Sequence, residues 1–213
     1  DDGFTVITGG DVHQGEACGT YEIKSQDGHA LTGNPDFPFE HLKKHGQTLL
    51  SHFHLKTINA KHLSELAIID TPGMLDSISQ RDRGYDYQAV LKDLAKLADV
   101  ILVVFDPHKA GTIRETHISL KQTLPKATFD HRVHFVLNRV DECQSIKDLV
   151  RCYGTLCWNL SQMTGRKDIP QIYLTYSQST QPQNPTRPFL EEVQSEREEI
   201  FQLIQNAPRK RLD

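Results

Sequence analysis

Two tetrapeptides in this chain combine the residue types that handle anions and heterocycles. Asp70-Thr71-Pro72-Gly73 closes the apolar run from Leu66 to Asp70, and Asn138-Arg139-Val140-Asp141 closes the run from Arg132 to Asn138. In the first, a carboxylate at a strand end can hold magnesium through water, and a glycine just beyond it lets a backbone N–H come close to an anion. In the second, an amide and a carboxylate separated by two residues can read the edge of a nucleobase. Taken singly, D-x-x-G and N-x-x-D also occur as ordinary turns and caps, so their weight depends on the elements that carry them.

Short β-rich runs alternate with longer segments of helical period. Phe4 to Thr8, Leu66 to Asp70, Val100 to Asp106, Arg132 to Asn138 and Gln171 to Tyr176 read as strands, the middle three nearly continuous in Val, Ile and Leu. Such runs suit strands buried on both faces. Tyr87 to Leu97 sets Val90, Leu91, Leu94, Leu97 and Ala98 on one helical face; Ile146 to Leu160 and Leu190 to Ile204 behave likewise, and "NPDFPFEHLKK" from Asn34 is a Pro-rich entry into a further helix. This order implies crossovers and a mostly parallel sheet with helices on both faces, an α/β fold forming one domain over residues 1–213. Ligands of such sheets sit at the carboxyl ends of the strands. The strands ending at Asp70, Asp106 and Asn138 are therefore expected in one parallel sheet, with those ends on the same edge. Both motifs, in this order on two such strands, point to a GTPase-type nucleotide fold.

Composition narrows the alternatives. The chain has 213 residues, 37% hydrophobic and 24% charged, with a formal charge of -4 and a pI near 6.3, so it carries no basic field for nucleic acid or anionic lipid. Val100 to Phe105 is far too short to span a bilayer, and the opening residues lack the features of a signal peptide. Four cysteines without a C-x-x-C pair fit a reducing cytosol, and among eleven histidines only His52-Phe53-His54 forms a dense pair, with no second cluster at ligand spacing.

Nucleotide folds of this kind hold phosphate with G-x-x-x-x-G-K-[ST] upstream of the Asp-x-x-Gly turn. This chain has no such motif. "GDVHQGEA" from Gly10 and "GHALTGNP" from Gly28 imitate its spacing, but Glu16 would oppose phosphate and Asn34-Pro35 supplies neither lysine nor hydroxyl. Both read as turns. Two explanations stay open: a chain beginning after the phosphate loop, or a nucleotide-like fold that no longer binds nucleotide.

The segment "IIDTPGML", the following "QRDRGYDYQAVLKDLAKLADVILVVFDPHK", "NRVD" and "RCYGTLCW" resemble the EH-domain-containing (EHD) family of dynamin-like ATPases and, less closely, sarcalumenin, its lumenal relative. The resemblance extends to about Ala207 and implies a dynamin-type G domain without its first strand and phosphate loop. Carried over residue by residue, it makes Asp70 the magnesium-linked aspartate, Gly73 the γ-phosphate sensor and Met74 to Gly84 the second switch, with Thr71 and Pro72 in the turn between. Asn138 and Asp141 become the base-reading pair, and Arg139 stands where the family has lysine. Asp36 to Phe39 keeps the Pro-Phe of a family loop without its basic neighbours. Trp158, on composition a core aromatic, becomes by resemblance an anchor of the G-domain dimer.

The implied function is nucleotide-dependent oligomerisation and membrane remodelling or trafficking, with magnesium and a nucleoside triphosphate as cofactors. A homodimer or larger oligomer would form through this domain. Membrane contact would come from regions outside it, nucleic acid would not be a partner, and the protein would be cytoplasmic and peripheral to membranes, or lumenal if sarcalumenin-like. A catalytically degenerate dimerisation module is the alternative. The chain alone is expected not to hydrolyse ATP or GTP, lacking the phosphate-neutralising lysine. Because Thr175, Tyr176 and Ser177 replace the loop that supports guanine in typical GTPases, and because the family binds adenine, ATP is expected over GTP.

Overall fold

Phe4 and Val6 alternate into the interior along β1 (Phe4–Gly9), and the sheet of the first half grows outward from that strand. The computed structural model describes residues 3–10, 22–60, 63–73, 83–108, 131–164, 170–177 and 189–207. Contacts divide the chain into two compact units, Asp1–Leu97 and Ala98–Asp213.

In the first unit β1 lies between β3 (Phe53–Ile58), to which it is parallel, and β4 (Ala67–Asp70), to which it is antiparallel. β2 (Glu22–Asp27) adds antiparallel to the far side of β3, giving the order β2-β3-β1-β4. Two short helices, α1 (Gly28–Gly33) and α2 (Gln47–Ser51), and a 3-10 helix, Glu40–His45, precede the longer α3 (Tyr87–Leu97). The Asp27 carboxylate caps α1 by accepting from the Ala30 N–H at 2.8 Å. A Cβ on Gly28 would stand 2.3 Å from the Leu50 carbonyl oxygen, so this glycine serves close packing of a helix start and not a phosphate cradle. Phe39 meets Phe53 edge-on at 5.3 Å, and with Phe4, Leu31, Leu42, Leu49, Leu55, Val90 and Leu94 they form one apolar core. The Pro-Phe loop thus spends its second phenylalanine on the interior.

Helix α3 also turns one carboxylate inward. Asp93 is buried, and it accepts from Lys44 Nζ at 2.6 Å, Lys96 Nζ at 2.8 Å and pairs with His45 Nε2 at 3.0 Å. The hydrogen bonds from Lys44 and then Lys96 hold its carboxyl far below the usual carboxylate range, against the opposing effect of burial.

Among the described residues the second unit has three parallel strands, β5 (Ile101–Phe105), β6 (Val133–Leu137) and β7 (Ile172–Leu174), with β6 in the middle. Helix α4 (Ile146–Thr164) follows β6 and α5 (Phe189–Gln205) follows β7. The Glu196 carboxylate of α5 accepts from the Leu174 N–H at 2.6 Å, and burial pushes its carboxyl upward. No helix among the described residues is long and apolar enough to cross a membrane.

All five strands expected from composition form, and so do the three long helices. The expectation of one sheet does not hold: among the described residues β4 pairs antiparallel with β1, while β5, β6 and β7 form a separate ladder. Among the described residues β4 and β5 are each the end strand of their ladder. Ile68 is 38% and Val104 56% exposed, so burial on both faces fails for these two runs and holds only for β6, where Phe135, Val136 and Leu137 are all buried. A run of Val, Ile and Leu records affinity for a sheet interior, and it carries no information on which strand lies beside it. Strands β2 and β3 were not foreseen. β3 is signalled by alternation, with Phe53 and Leu55 inward and Lys56 outward, but the histidines at 52 and 54 mask the pattern, and β2 is almost wholly polar. The glycine-spaced stretch from Gly10 and the switch residues 74–82 lie outside the described residues.

Candidate functional site

The Asp-Thr-Pro-Gly turn emerges from the end of β4, where Asp70 pairs across the ladder with Thr5. Asp70, Thr71 and Gly73 are exposed and Pro72 is buried. The turn is held by its carbonyls: the Tyr87 hydroxyl donates to the Pro72 oxygen at 2.6 Å, and Arg83 Nη2 lies 3.4 Å from the Gly73 oxygen. Arg83 in turn sits over the Tyr87 ring at 4.8 Å, and that ring stacks on Phe4 at 5.8 Å. Burial pushes the Tyr87 hydroxyl upward, which keeps it a donor. The "RGYDY" stretch therefore acts as a clamp that grips the turn from beneath and leaves its carboxylate outward. A Cβ built on Gly73 meets nothing within 4 Å, so the protein itself does not require glycine here. This fits a position that a ligand must approach closely.

The Asn-Arg-Val-Asp loop follows β6 in the second unit. Three backbone bonds pin it to the neighbouring strand ends: Asn138 N–H to the Phe105 oxygen at 2.9 Å, Thr175 N–H to the Leu137 oxygen at 2.9 Å, and Val140 N–H to the Thr175 oxygen at 3.2 Å. The Thr175 hydroxyl donates to Asn138 Oδ1 at 3.0 Å. With its oxygen so engaged, the Asn138 amide presents its N–H groups as the donor face. Asp141 lies two residues past Arg139 in the 3-10 turn Val140–Glu142. Tyr176, half-buried, and Ser177, exposed, continue beyond β7.

Arg139 takes the left-handed conformation, with φ 61° and ψ 32°. Its Nε donates to Glu142 Oε1 at 2.8 Å, its Nη2 reaches the same oxygen, and its Nη1 donates to Asp106 Oδ2 at 2.8 Å. His108 Nε2 lies 3.0 Å from the other Glu142 oxygen, and the His108 N–H donates to Asp106 Oδ1 at 2.9 Å. The Glu142 and Asp106 carboxylates hold the guanidinium above its ordinary value.

Within the second unit, then, the structure brings together Asn138, Arg139 and Thr175 with Asp141 in the same loop. Asp70, Thr71, Pro72 and Gly73 form their own cluster within the first unit. The sequence reading gave no role to Glu142, His108 or the Tyr87 hydroxyl, and it placed Arg83 only within the second switch. The Arg139–Glu142 spacing of three was a usable signal, whereas the reach of Arg83 and Tyr87 back to the turn had none. Trp158 departs from the core reading, being 67% exposed on α4.

The Asp-x-x-Gly turn closes a strand of the first unit and the Asn-x-x-Asp loop closes a strand of the second, each in an α/β setting. The family model described as Dynamin family matches residues 10–140, and the chain belongs to that family. It is 33% identical over 183 residues to EH domain-containing protein 2 of Homo sapiens, covering 85% of this chain and 33% of that protein. It is 32% identical to EH domain-containing protein 1 of Bos taurus over the same shares. The chain thus spans about a third of the length of these curated relatives. A solved chain from an oligomerised bacterial dynamin pair aligns with 91% of this chain and 28% of its own length, with a TM-score of 0.42 and 11% identity.

Proposed function

We propose that residues 1–213 are the nucleotide-binding core of a dynamin-type, EHD-like G domain, and that the whole protein couples nucleoside triphosphate binding to oligomerisation and membrane remodelling. The observation that carries this reading is the Thr175–Asn138 hydrogen bond, which orients an amide for a base edge on a loop already pinned by three backbone bonds. Asp70 would hold magnesium through water, and Gly73 would bring a backbone N–H to the terminal phosphate. The ion would supply charge neutralisation at the phosphates, while the chain's own part is to orient the base and offer the turn. With Thr175, Tyr176 and Ser177 following β7 in place of a guanine-supporting loop, ATP is the favoured nucleotide. Calorimetry on the full-length protein with magnesium should give tighter binding of ATP than of GTP. A clear GTP preference overturns the choice of base, and no binding of either nucleotide returns the domain to a scaffold role.

Dimerisation belongs to the same proposal. Ile146, Val150 and Trp158 on α4 are 59%, 63% and 67% exposed, and large exposed apolar side chains, an aromatic above all, mark association. Trp158→Ala should shift the full-length protein toward monomer by more than tenfold in dissociation constant, an interface anchor being worth about 2 kcal/mol, with circular dichroism unchanged. Light scattering that finds the same dimer rejects this interface.

A further inference from the structure

Arg83 carries a charge that its surroundings do not answer. Its guanidinium lies against the Asp-Thr-Pro-Gly turn, with Nη2 3.4 Å from the Gly73 oxygen and Cζ 4.8 Å from the centre of the Tyr87 ring. Nε and Nη1 are buried and have no hydrogen-bond partner. Among the described residues no carboxylate forms an ion pair with it; the buried acid of the first unit, Asp93, is taken by Lys44, Lys96 and His45. A guanidinium withdrawn from water without a counter-charge is costly. A ring face and one long bond to a carbonyl offset only part of that cost.

The residues that follow fix Arg83 in this position. Gly84 takes the left-handed conformation, with φ 71°, and a Cβ there would stand 2.8 Å from Thr48 Cγ2, so the chain is pressed closely against α2. Tyr85 and Tyr87 are buried. Asp86 spends its carboxylate on the Ala89 N–H at 3.0 Å, at the start of α3. Gly84, Tyr85, Asp86 and Tyr87 thus each pack or cap, whereas Arg83 brings two unused donors and a positive charge to the glycine of the turn.

We propose that Arg83 is an anion ligand of this turn, its unpartnered donors taking the terminal phosphate of the nucleotide. The inference rests on the nucleotide reading above. Gly73 would offer that phosphate one backbone N–H and no charge, and Arg83 supplies the charge. A planar guanidinium suits a group with several oxygens, and an ion pair formed away from water is little screened by salt. The turn then separates a nucleoside triphosphate from a diphosphate by charge as well as by shape.

The test uses the full-length protein in magnesium with ATP and ADP, which differ in the terminal phosphate. Wild-type protein should prefer ATP. Arg83→Gln should lower that preference by about tenfold, the worth of one charge-assisted hydrogen bond, with ADP affinity unchanged. Arg83→Lys, which keeps the charge, should retain most of the preference. Thermal melting identifies a variant that misfolds, and in that case the wild-type protein decides: the Arg83 Nε–H resonance should move on addition of ATP and stay in place with ADP. An unchanged preference in Arg83→Gln, or a resonance that ATP leaves in place, overturns the assignment. An equal fall in both variants makes Arg83 a support of the turn, acting through Gly73, and overturns it too. Wild-type protein that binds both nucleotides without preference sinks the phosphate contact alone, whereas wild-type protein that binds neither sinks the nucleotide reading beneath it.

Discussion

The turn after β4 and the loop after β6 are built on opposite plans. In the loop, the residues that would meet a ligand are themselves engaged: Asn138 by Thr175, Arg139 by Asp106 and Glu142. In the turn, the engaged groups are the backbone carbonyls of Pro72 and Gly73, and among the described residues no hydrogen bond or ion pair holds the exposed Asp70 carboxylate. A heterocycle offers a fixed pattern of donors and acceptors, which rewards side chains set in advance. A hydrated ion with phosphates takes many geometries, and an outward carboxylate on a gripped backbone suits it. Among the described residues β6 is central in its ladder and β4 lies at the end of its own.

The largest effect should come from breaking the prepared side. Asn138→Ala removes the donor to the base and leaves the Thr175 hydroxyl unmatched, two losses that together weaken ATP by about a hundredfold, as calorimetry on the full-length protein would measure. A loss below threefold would mean that the loop is structural.

The support of the turn comes next. Asp93 anchors α3, which carries Tyr87, to the Lys44-His45 segment. Asp93→Asn should cost about 2 kcal/mol by leaving buried donors poorly matched, seen as a lowered denaturant midpoint. Because the folded pKa lies below the unfolded one, this stabilisation is complete above about pH 4 and is lost as pH falls from there toward the folded value. Glu196 in the second unit has the reverse sign: its raised folded pKa makes its contribution greatest below about pH 4 and lost as pH rises past the unfolded value. Hydrogen exchange should show protection of α3 falling as pH drops below about 4 and protection of α5 falling as pH rises above about 4, and Asp93→Asn should flatten only the first.

Gly73→Ala sharpens the contrast from the other direction. With open space around the added methyl, the melting temperature should stay within about 1 °C, a surface change of this kind being worth under 0.5 kcal/mol. The preference for ATP over ADP should nonetheless fall by about tenfold, the loss of one charge-assisted hydrogen bond. A destabilised protein with its ATP preference intact would make the glycine a folding residue. The smallest effect expected is that of Tyr87→Phe, which deletes one hydrogen bond to the turn and should cost about 1 kcal/mol; an unchanged stability would show that Arg83 alone holds the turn.

Much of this was written in local pattern. The strands that end at Asp70 and Asn138, the helices α3, α4 and α5, and the tetrapeptides that follow those strands stem from periodicities of two and 3.6 residues and from turn chemistry. So does family membership, since "RGYDY", "FDPHK" and "YGTLCW" are contiguous. Trp158 could be placed on a helix but not on its outer face. The polar strand β2 escaped because its residues carry no alternation to read.

What the amino-acid order determined by itself, then, is which residues are available at the strand ends, because backbone geometry over a few residues depends on the side chains there. What only the tertiary structure decided is who holds them: Asp106 on Arg139 across 33 residues, Thr175 on Asn138 across 37, His45 on Asp93 across 48. Those pairings depend on which strands and helices become neighbours, and neighbours are selected by the fit of whole apolar faces. No local pattern encodes that fit, and for that reason the same Val, Ile and Leu runs yielded, among the described residues, a buried centre in β6 and exposed ladder ends in β4 and β5.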